Sequence, residues 1–234
     1  MGTQTRCIDG EPPAVPDYLT ETYWWAYIDP RAVYIFERQW LVNLILWGNF
    51  GRLRDAALAR LDCGNDLRTL QVACVYGDLT ARLLGRLADG VQLDVLDVLP
   101  VQLANLARKL PADSGVGLIH GNSADMPFEP GHYDQALLFF LLHEQPETVR
   151  RATLAETLRV VKPGGRIVMV DYHRPDRSNP VYWPMVGVLR TLEPYALDLW
   201  KTEIAAWLPA GACLKSLTKE TLFGGLYQLI TIEV

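Results

Sequence analysis

A chain of 234 residues, half of them apolar, has room for one α/β domain with additions. Its net charge of −5 argues against nucleic acid as a partner, because binding phosphates needs a basic face. The four cysteines, Cys7, Cys63, Cys74 and Cys213, lack CxxC spacing, which excludes a zinc ribbon or disulfide framework and implies a reduced, cytoplasmic setting.

Residues 1–16 are polar and carry Pro12, Pro13 and Pro16, so order is expected to begin after them. No basic stretch followed by an apolar one opens the chain, so no secretory leader is expected. From Asp17 the aromatic density rises sharply, with Tyr23, Trp24, Trp25, Tyr27, Tyr34, Phe36, Trp40 and Trp47. Asp17 can cap one helix, and Asp29 before Pro30 suits the start of a second. These residues form an extension over 1–64 ahead of a domain over 65–234. The aromatics either cover one face of a sheet or form a lid over a flat apolar ligand with polar edges. Trp40 to Phe50 is too short to cross a bilayer but could lie on one.

Residues 69–80, TLQVACVYGDLT, read as a buried strand, a tight turn at Gly77 and the start of a helix. In such a unit the turn amides and the helix N-terminus face a ligand. A second strand ends at Asp97, about where a ribose diol is held in these folds, and a helix follows from about Pro100 to Leu110. Asp94 competes with Asp97 but lies within the strand. A third strand ends near His120, a loop carries Asn122 to Phe128, and a fourth strand runs from Tyr133 to Leu141. A helix, a KPGG turn at Lys162 to Gly165 and a fifth strand through Asp171 come next. Two strands joined by a polar turn close the chain. Between the fifth and sixth strands, residues 174–208 form an insertion rich in proline and aromatics, expected to close a pocket.

Ligands collect beyond the carboxyl ends of strands in open α/β sheets. His143 and Glu144 follow the fourth strand; Asp171 and His173 stand at the end of the fifth. Two imidazoles and two carboxylates converging there are a plausible first shell for a divalent metal such as manganese. Tyr23, Tyr27, Tyr76 and Tyr182 could orient a substrate or move a proton, and the sequence does not rank them.

The strand and turn at 69–80, the NSADMPF loop and the helix–KPGG–strand succession resemble the class I S-adenosylmethionine-dependent methyltransferases. That resemblance implies a Rossmann-like seven-stranded sheet with helices on both faces. The family's first motif has an acid where this chain has Gln71, and glycines where it has Ala73 and Val75; Gly77 is retained. The resemblance implies cofactor contacts from Gln71, Ala73, Val75, Tyr76 and Gly77, from Asp97 and Val98, and from Asn122, Ala124, Asp125 and Met126. Val75 is β-branched and disfavours a left-handed backbone, so a rebuilt turn is expected. The prolines and aromatics of the insertion are similar to the lid of the quinone C-methyltransferases.

VACVYGD, the aromatic N-terminal helices, LLHEQP and DYHRPDRSNP together resemble the rhodoquinone-biosynthesis family known as RquA. That resemblance implies conversion of ubiquinone to rhodoquinone, exchanging a ring methoxy group for an amino group, with S-adenosylmethionine as amino donor and Mn(II) required. On this reading His143, Asp171, Tyr76 and Tyr182 are catalytic, Tyr23, Tyr27 and Trp183 meet the quinone, and His143, Glu144, Asp171 and His173 supply metal ligands. The long-tailed substrate implies a peripheral place on the inner membrane. A conventional C- or O-methyltransferase acting on a quinone and a non-catalytic binding protein are the alternatives.

Overall fold

The computed structural model describes residues 5–6, 13–88 and 91–234. The N-terminal tip expected to lack order therefore lies largely outside the described residues. Where two N-terminal helices are expected, the structure has four: α1 (Asp17–Thr22), α2 (Pro30–Phe36), α3 (Gln39–Ile45) and α4 (Phe50–Leu58), with a π-helical turn at Trp24–Ile28. The breaks have local causes. Asp29 caps α2 through the Arg31 amide at 2.8 Å, and Pro30 takes the first helical position. Trp47 and Gly48 adopt positive φ and end the run after α3.

The remaining elements are β2 (Arg68–Val72), α5 (Leu79–Leu84), β3 (Gln92–Asp97), α6 (Pro100–Lys109), β4 (Gly117–His120), β5 (Tyr133–Phe139), α7 (Glu147–Val160), β6 (Val161–Tyr172), α8 (Tyr182–Leu192), β7 (Ser216–Leu222) and β8 (Tyr227–Glu233). A two-residue strand, β1 (Thr5–Arg6), which the sequence does not signal, adds to the edge beside β4. The sheet order is β1-β4-β3-β2-β5-β6-β8-β7, with β8 antiparallel to both β6 and β7 and the others parallel. The central strands β2 and β5 are buried along nearly their whole length, including the polar Thr69, Gln71 and Gln135, as a sheet covered on both faces requires. Leu70, Val72, Leu137, Val168 and Ile230 are all buried in one core.

The KPGG stretch is not a separate turn but the bulged beginning of β6. The register slips between Tyr133↔Val161 and Gln135↔Arg166, so the extra residues loop out of the ladder. Gly165 sits there because a Cβ would lie 2.6 Å from the Asp134 carbonyl oxygen. The succession of parallel strands brings the loops after β2, β3, β4, β5 and β6 to one edge, where a site is expected.

Candidate active site

The turn after β2 is not left-handed at Val75. Its left-handed residues are Ala73, at φ 72°, and Gly77, at φ 84°. The N-terminal extension holds it in place. Gly77 N donates to Glu37 Oε1 at 3.0 Å, and Lys109 Nζ donates to Glu37 Oε1 and to the Gly77 carbonyl. Tyr76 donates its hydroxyl to the Ala26 carbonyl at 2.7 Å, accepts from Gln102, and stacks on Tyr27. Gln71 is fully buried: its amide donates to the Ala73 carbonyl and its carbonyl accepts from Thr80 Oγ1. It therefore stitches the turn to α5, and the sequence gives no sign of this tie.

Asp97 stands at the end of β3 with Cys74 N donating to Oδ2 at 2.7 Å and Leu99 N to Oδ1 at 2.8 Å. Burial pushes its carboxyl up, against the pull of these amides. Asp94 lies lower in the strand, accepting from Tyr133. A cavity of about 60 Å³ is lined by Ala73, Cys74, Asp97, Val98, Asn122 and Ser123 on the sheet side. Tyr18, Leu19, Tyr27 and Glu144 close it from the other side. Of the loop residues expected at the cofactor, Asn122 faces the cavity, whereas Asp125 is exposed and Met126 is buried in the core. Ala124 donates its amide to Asn122.

Pockets for ligands of nucleoside size run to roughly 300–1,000 Å³, so residues 17–28 have to move before such a ligand enters. Tyr18→Ala is accordingly expected to raise the association rate of S-adenosylmethionine severalfold in stopped-flow binding. An unchanged rate would mean that the segment is not the barrier.

The chemistry gathers beyond β5 and β6. Phe140, an aromatic at φ 54°, holds an uncommon left-handed backbone at the turn that leads into His143 and Glu144. Asp171 is buried and fixes this turn: its Oδ2 accepts from Leu142 N at 2.9 Å and from His143 N at 3.2 Å. His143 Nδ1 lies 3.0 Å from Asp171 Oδ1. The other ring nitrogen, Nε2, faces Glu144 Oε1 at 3.8 Å and Glu193 Oε2 at 3.9 Å. Tyr27 donates its hydroxyl to Glu144, and Tyr23 packs beside Tyr27. Arg150 ties the turn to the insertion, donating to the carbonyls of Leu142, Gln145 and Tyr195.

The structure thus brings His143, Glu144, Asp171, Tyr23, Tyr27 and Tyr76 to one place. His173 is not among them. The chain turns away after β6, with His173 N donating to the Leu226 carbonyl, and the ring bonds the Gly225 carbonyl and faces Lys219. Tyr182 is buried against Trp200, while Trp183 is 69% exposed and lines no part of the cavity. Glu193, Tyr18 and Arg150 are the residues that sequence reasoning missed. Glu193 belongs to no motif and arrives only through the path of the insertion.

The carboxylates of Asp171, Glu144 and Glu193 surround one imidazole. Burial by itself lowers the His143 pKa, but Asp171, Glu193 and Glu144 outweigh it and raise it to about 9. Burial raises Glu144 to about 8 despite the His143 cation, and Glu193 is raised as well, chiefly by burial. The His143 contribution to stability is complete below its ordinary 6.5 and disappears as pH rises through about 9. The Glu144 contribution, complete below its ordinary 4.5, disappears as pH rises through about 8. Both slopes have the same sign, so the metal-free protein is expected to lose stability between pH 6.5 and pH 9. A denaturant midpoint that stays flat over this window would contradict the assignment.

Residues 69–165 match the family model of a methyltransferase domain. An uncharacterized methyltransferase of Synechocystis sp. is 27% identical over 85% of this chain and 85% of its own length. The demethylmenaquinone methyltransferase of Bacillus licheniformis is 29% identical over 76% of this chain and 79% of its own. Human N-acetylserotonin methyltransferase in complex with S-adenosylmethionine superposes with a TM-score of 0.61 at 16% identity, over 94% of this chain and 60% of that one. The chain has the class I methyltransferase fold. The domain match spans β2 to the opening of β6, and both sequence relatives are named as methyltransferases. The cavity at Ala73, Asp97 and Asn122 stands at the carboxyl edge of the sheet, where ligands collect in open α/β folds.

Proposed function

We propose that this chain exchanges a ring methoxy group of ubiquinone for an amino group, forming rhodoquinone, with S-adenosylmethionine as the amino donor and Mn(II) bound beside it. The observation that carries the reading is the cluster of His143, Glu144, Glu193 and Asp171, which borders the cofactor cavity through Glu144. Methyl transfer from a sulfonium, already an activated donor, needs no such concentration of buried carboxylate. A relative named for demethylmenaquinone supports a quinone as the acceptor.

Among the described residues no group of three His, Cys, Asp or Glu side chains is arranged so that it could hold a metal ion as it stands. The donor chemistry nevertheless suits manganese: one imidazole nitrogen and two carboxylates, with Glu193 Oε2 buried and without a hydrogen-bond partner. His143 Nε2, Glu144 and Glu193 would hold the ion, and Asp171 would act behind His143 by orienting the ring, not as a ligand. A bound divalent cation supplies Lewis-acid polarisation of a quinone carbonyl.

The chain's own groups do the rest. Asp97 accepts hydrogen bonds from the ribose, and the stacked Tyr27 and Tyr76 offer flat faces to a ring. Tyr27, whose hydroxyl donates to Glu144, is placed to move a proton. The donor nitrogen bonds to the methoxy-bearing carbon, and methoxide leaves with the amine's proton as methanol. Breaking the nitrogen–Cα bond then leaves the electron pair and a proton on nitrogen. Loss of a Cβ proton balances this step as a carbon–carbon double bond, so no oxidant is required.

The second reading is conventional methyl transfer to a quinone, favoured by the names of the relatives. Mass spectrometry separates the two. Label on the α-nitrogen of S-adenosylmethionine is expected on the product ring while methyl label is not; methyl label in the product would establish the second reading instead.

A further inference from the structure

We propose that the outer faces of α3 and α8 form one surface that docks on an anionic lipid bilayer. Ten of the twelve large apolar side chains exposed among the described residues fall within residues 24–47 and 183–192. On α3 and just beyond it, Trp40, Leu44 and Trp47 recur at helical spacing on one side, with Trp40 61% and Leu44 65% exposed. On α8, Trp183 and Leu192 project outward while Met185 and Leu189 pack into the core. The two elements meet where Trp47 Nε1, from the end of α3, donates to Met185 Sδ on the inner side of α8 at 3.0 Å.

Charge identifies the occupant. The exposed ionisable side chains of residues 30–54 and 181–192 are Arg31, Arg38, Arg52 and Arg190, all cationic, on a chain whose net charge is −5. Glu37, the acid in these spans, is turned inward against Lys109 at 2.8 Å. Of the flanking acids, Asp29 caps α2, Asp55 pairs with Arg54, and Glu193 is turned inward toward His143. Tryptophan and leucine framed by arginine is the composition that settles at the boundary between headgroups and acyl chains. A second copy of the chain fits worse, since a symmetric contact would set arginines against arginines with no acid to answer them. No helix among the described residues is long and apolar enough to cross a membrane, so the contact lies on the bilayer. The inference does not depend on which group is transferred at the active site.

The test is sedimentation of the full chain with vesicles of phosphatidylcholine alone and of phosphatidylcholine with phosphatidylglycerol, at low and high salt. Binding to the anionic vesicles is expected, weakening with salt, and falling at least tenfold in Trp40→Ser/Leu44→Ser and in Arg38→Glu/Arg190→Glu. Tryptophan quenching of the unaltered protein by brominated phosphatidylglycerol is expected too, and needs no variant to fold. Absence of binding and quenching on anionic vesicles would overturn the proposal. So would a dimer in light scattering that the same substitutions dissociate.

Discussion

Glu193→Gln is expected to weaken Mn(II) binding at least as much as Asp171→Asn, for which a loss of about 10–100-fold is expected of a carboxylate that orients a ligating imidazole. The two act differently. Glu193 offers an unpartnered buried oxygen 3.9 Å from His143 Nε2, whereas Asp171 meets the opposite ring nitrogen and the amides of Leu142 and His143. On the proposed reading, removing the Glu193 charge would take away a ligand while leaving the turn intact. Removing the Asp171 charge frees the ring and loosens the turn, so it lowers thermal stability as well as affinity. Calorimetric titration of Mn(II) into each protein, without substrate, separates the cases. Unaltered affinity in Glu193→Gln would place the metal elsewhere. A third variant, His173→Ala, should leave affinity unchanged, because that ring faces Lys219 and the Gly225 carbonyl.

Arg150→Ala is expected to cost about 3–5 kcal/mol of folding stability, the range for removing one partner of a buried ionic network. Its guanidinium is fully buried, lies 4.2 Å over the Trp207 ring, and donates to three carbonyls from two separate segments. Truncation strands those carbonyls and takes a buried cation from the neighbourhood of Asp171, whose charge it partly offsets. Because Tyr195 is among the acceptors and lies two residues from Glu193, activity should fall in proportion beyond any loss of folded protein. Chemical denaturation gives the first quantity, and turnover per folded molecule gives the second. A loss below about 1 kcal/mol would show that water replaces the guanidinium without difficulty.

Much of the fold was legible in the chain because its signals are local. Alternation and apolar runs mark β2, β3 and β5 to within a residue or two, since each strand's own side chains must be buried on both faces. Pro100 marks the start of α6, and Asp29 with Pro30 marks the start of α2, because caps act over three residues. The same locality explains the errors. Val75, whose β-branch disfavours a left-handed backbone, does not adopt one, but nothing in the sequence signals that Ala73 does, where Gln71 pins the backbone. Sequence spacing groups His173 with Asp171 because only Tyr172 separates them, and the pairing of the chain with β8 sends the ring away from His143.

By itself the sequence determined the parallel βα succession, the acid closing β3, the carboxylate closing β6, and the His–Glu pair after β5, all consequences of periodicity and short-range spacing. Only the tertiary structure decided which charges share a site. Glu193 from the insertion, Tyr18 and Tyr27 from the extension, and Arg150 from α7 meet because three remote segments fold over one edge of the sheet. Burial then sets their protonation, and burial is a property of the packed molecule that no residue carries alone.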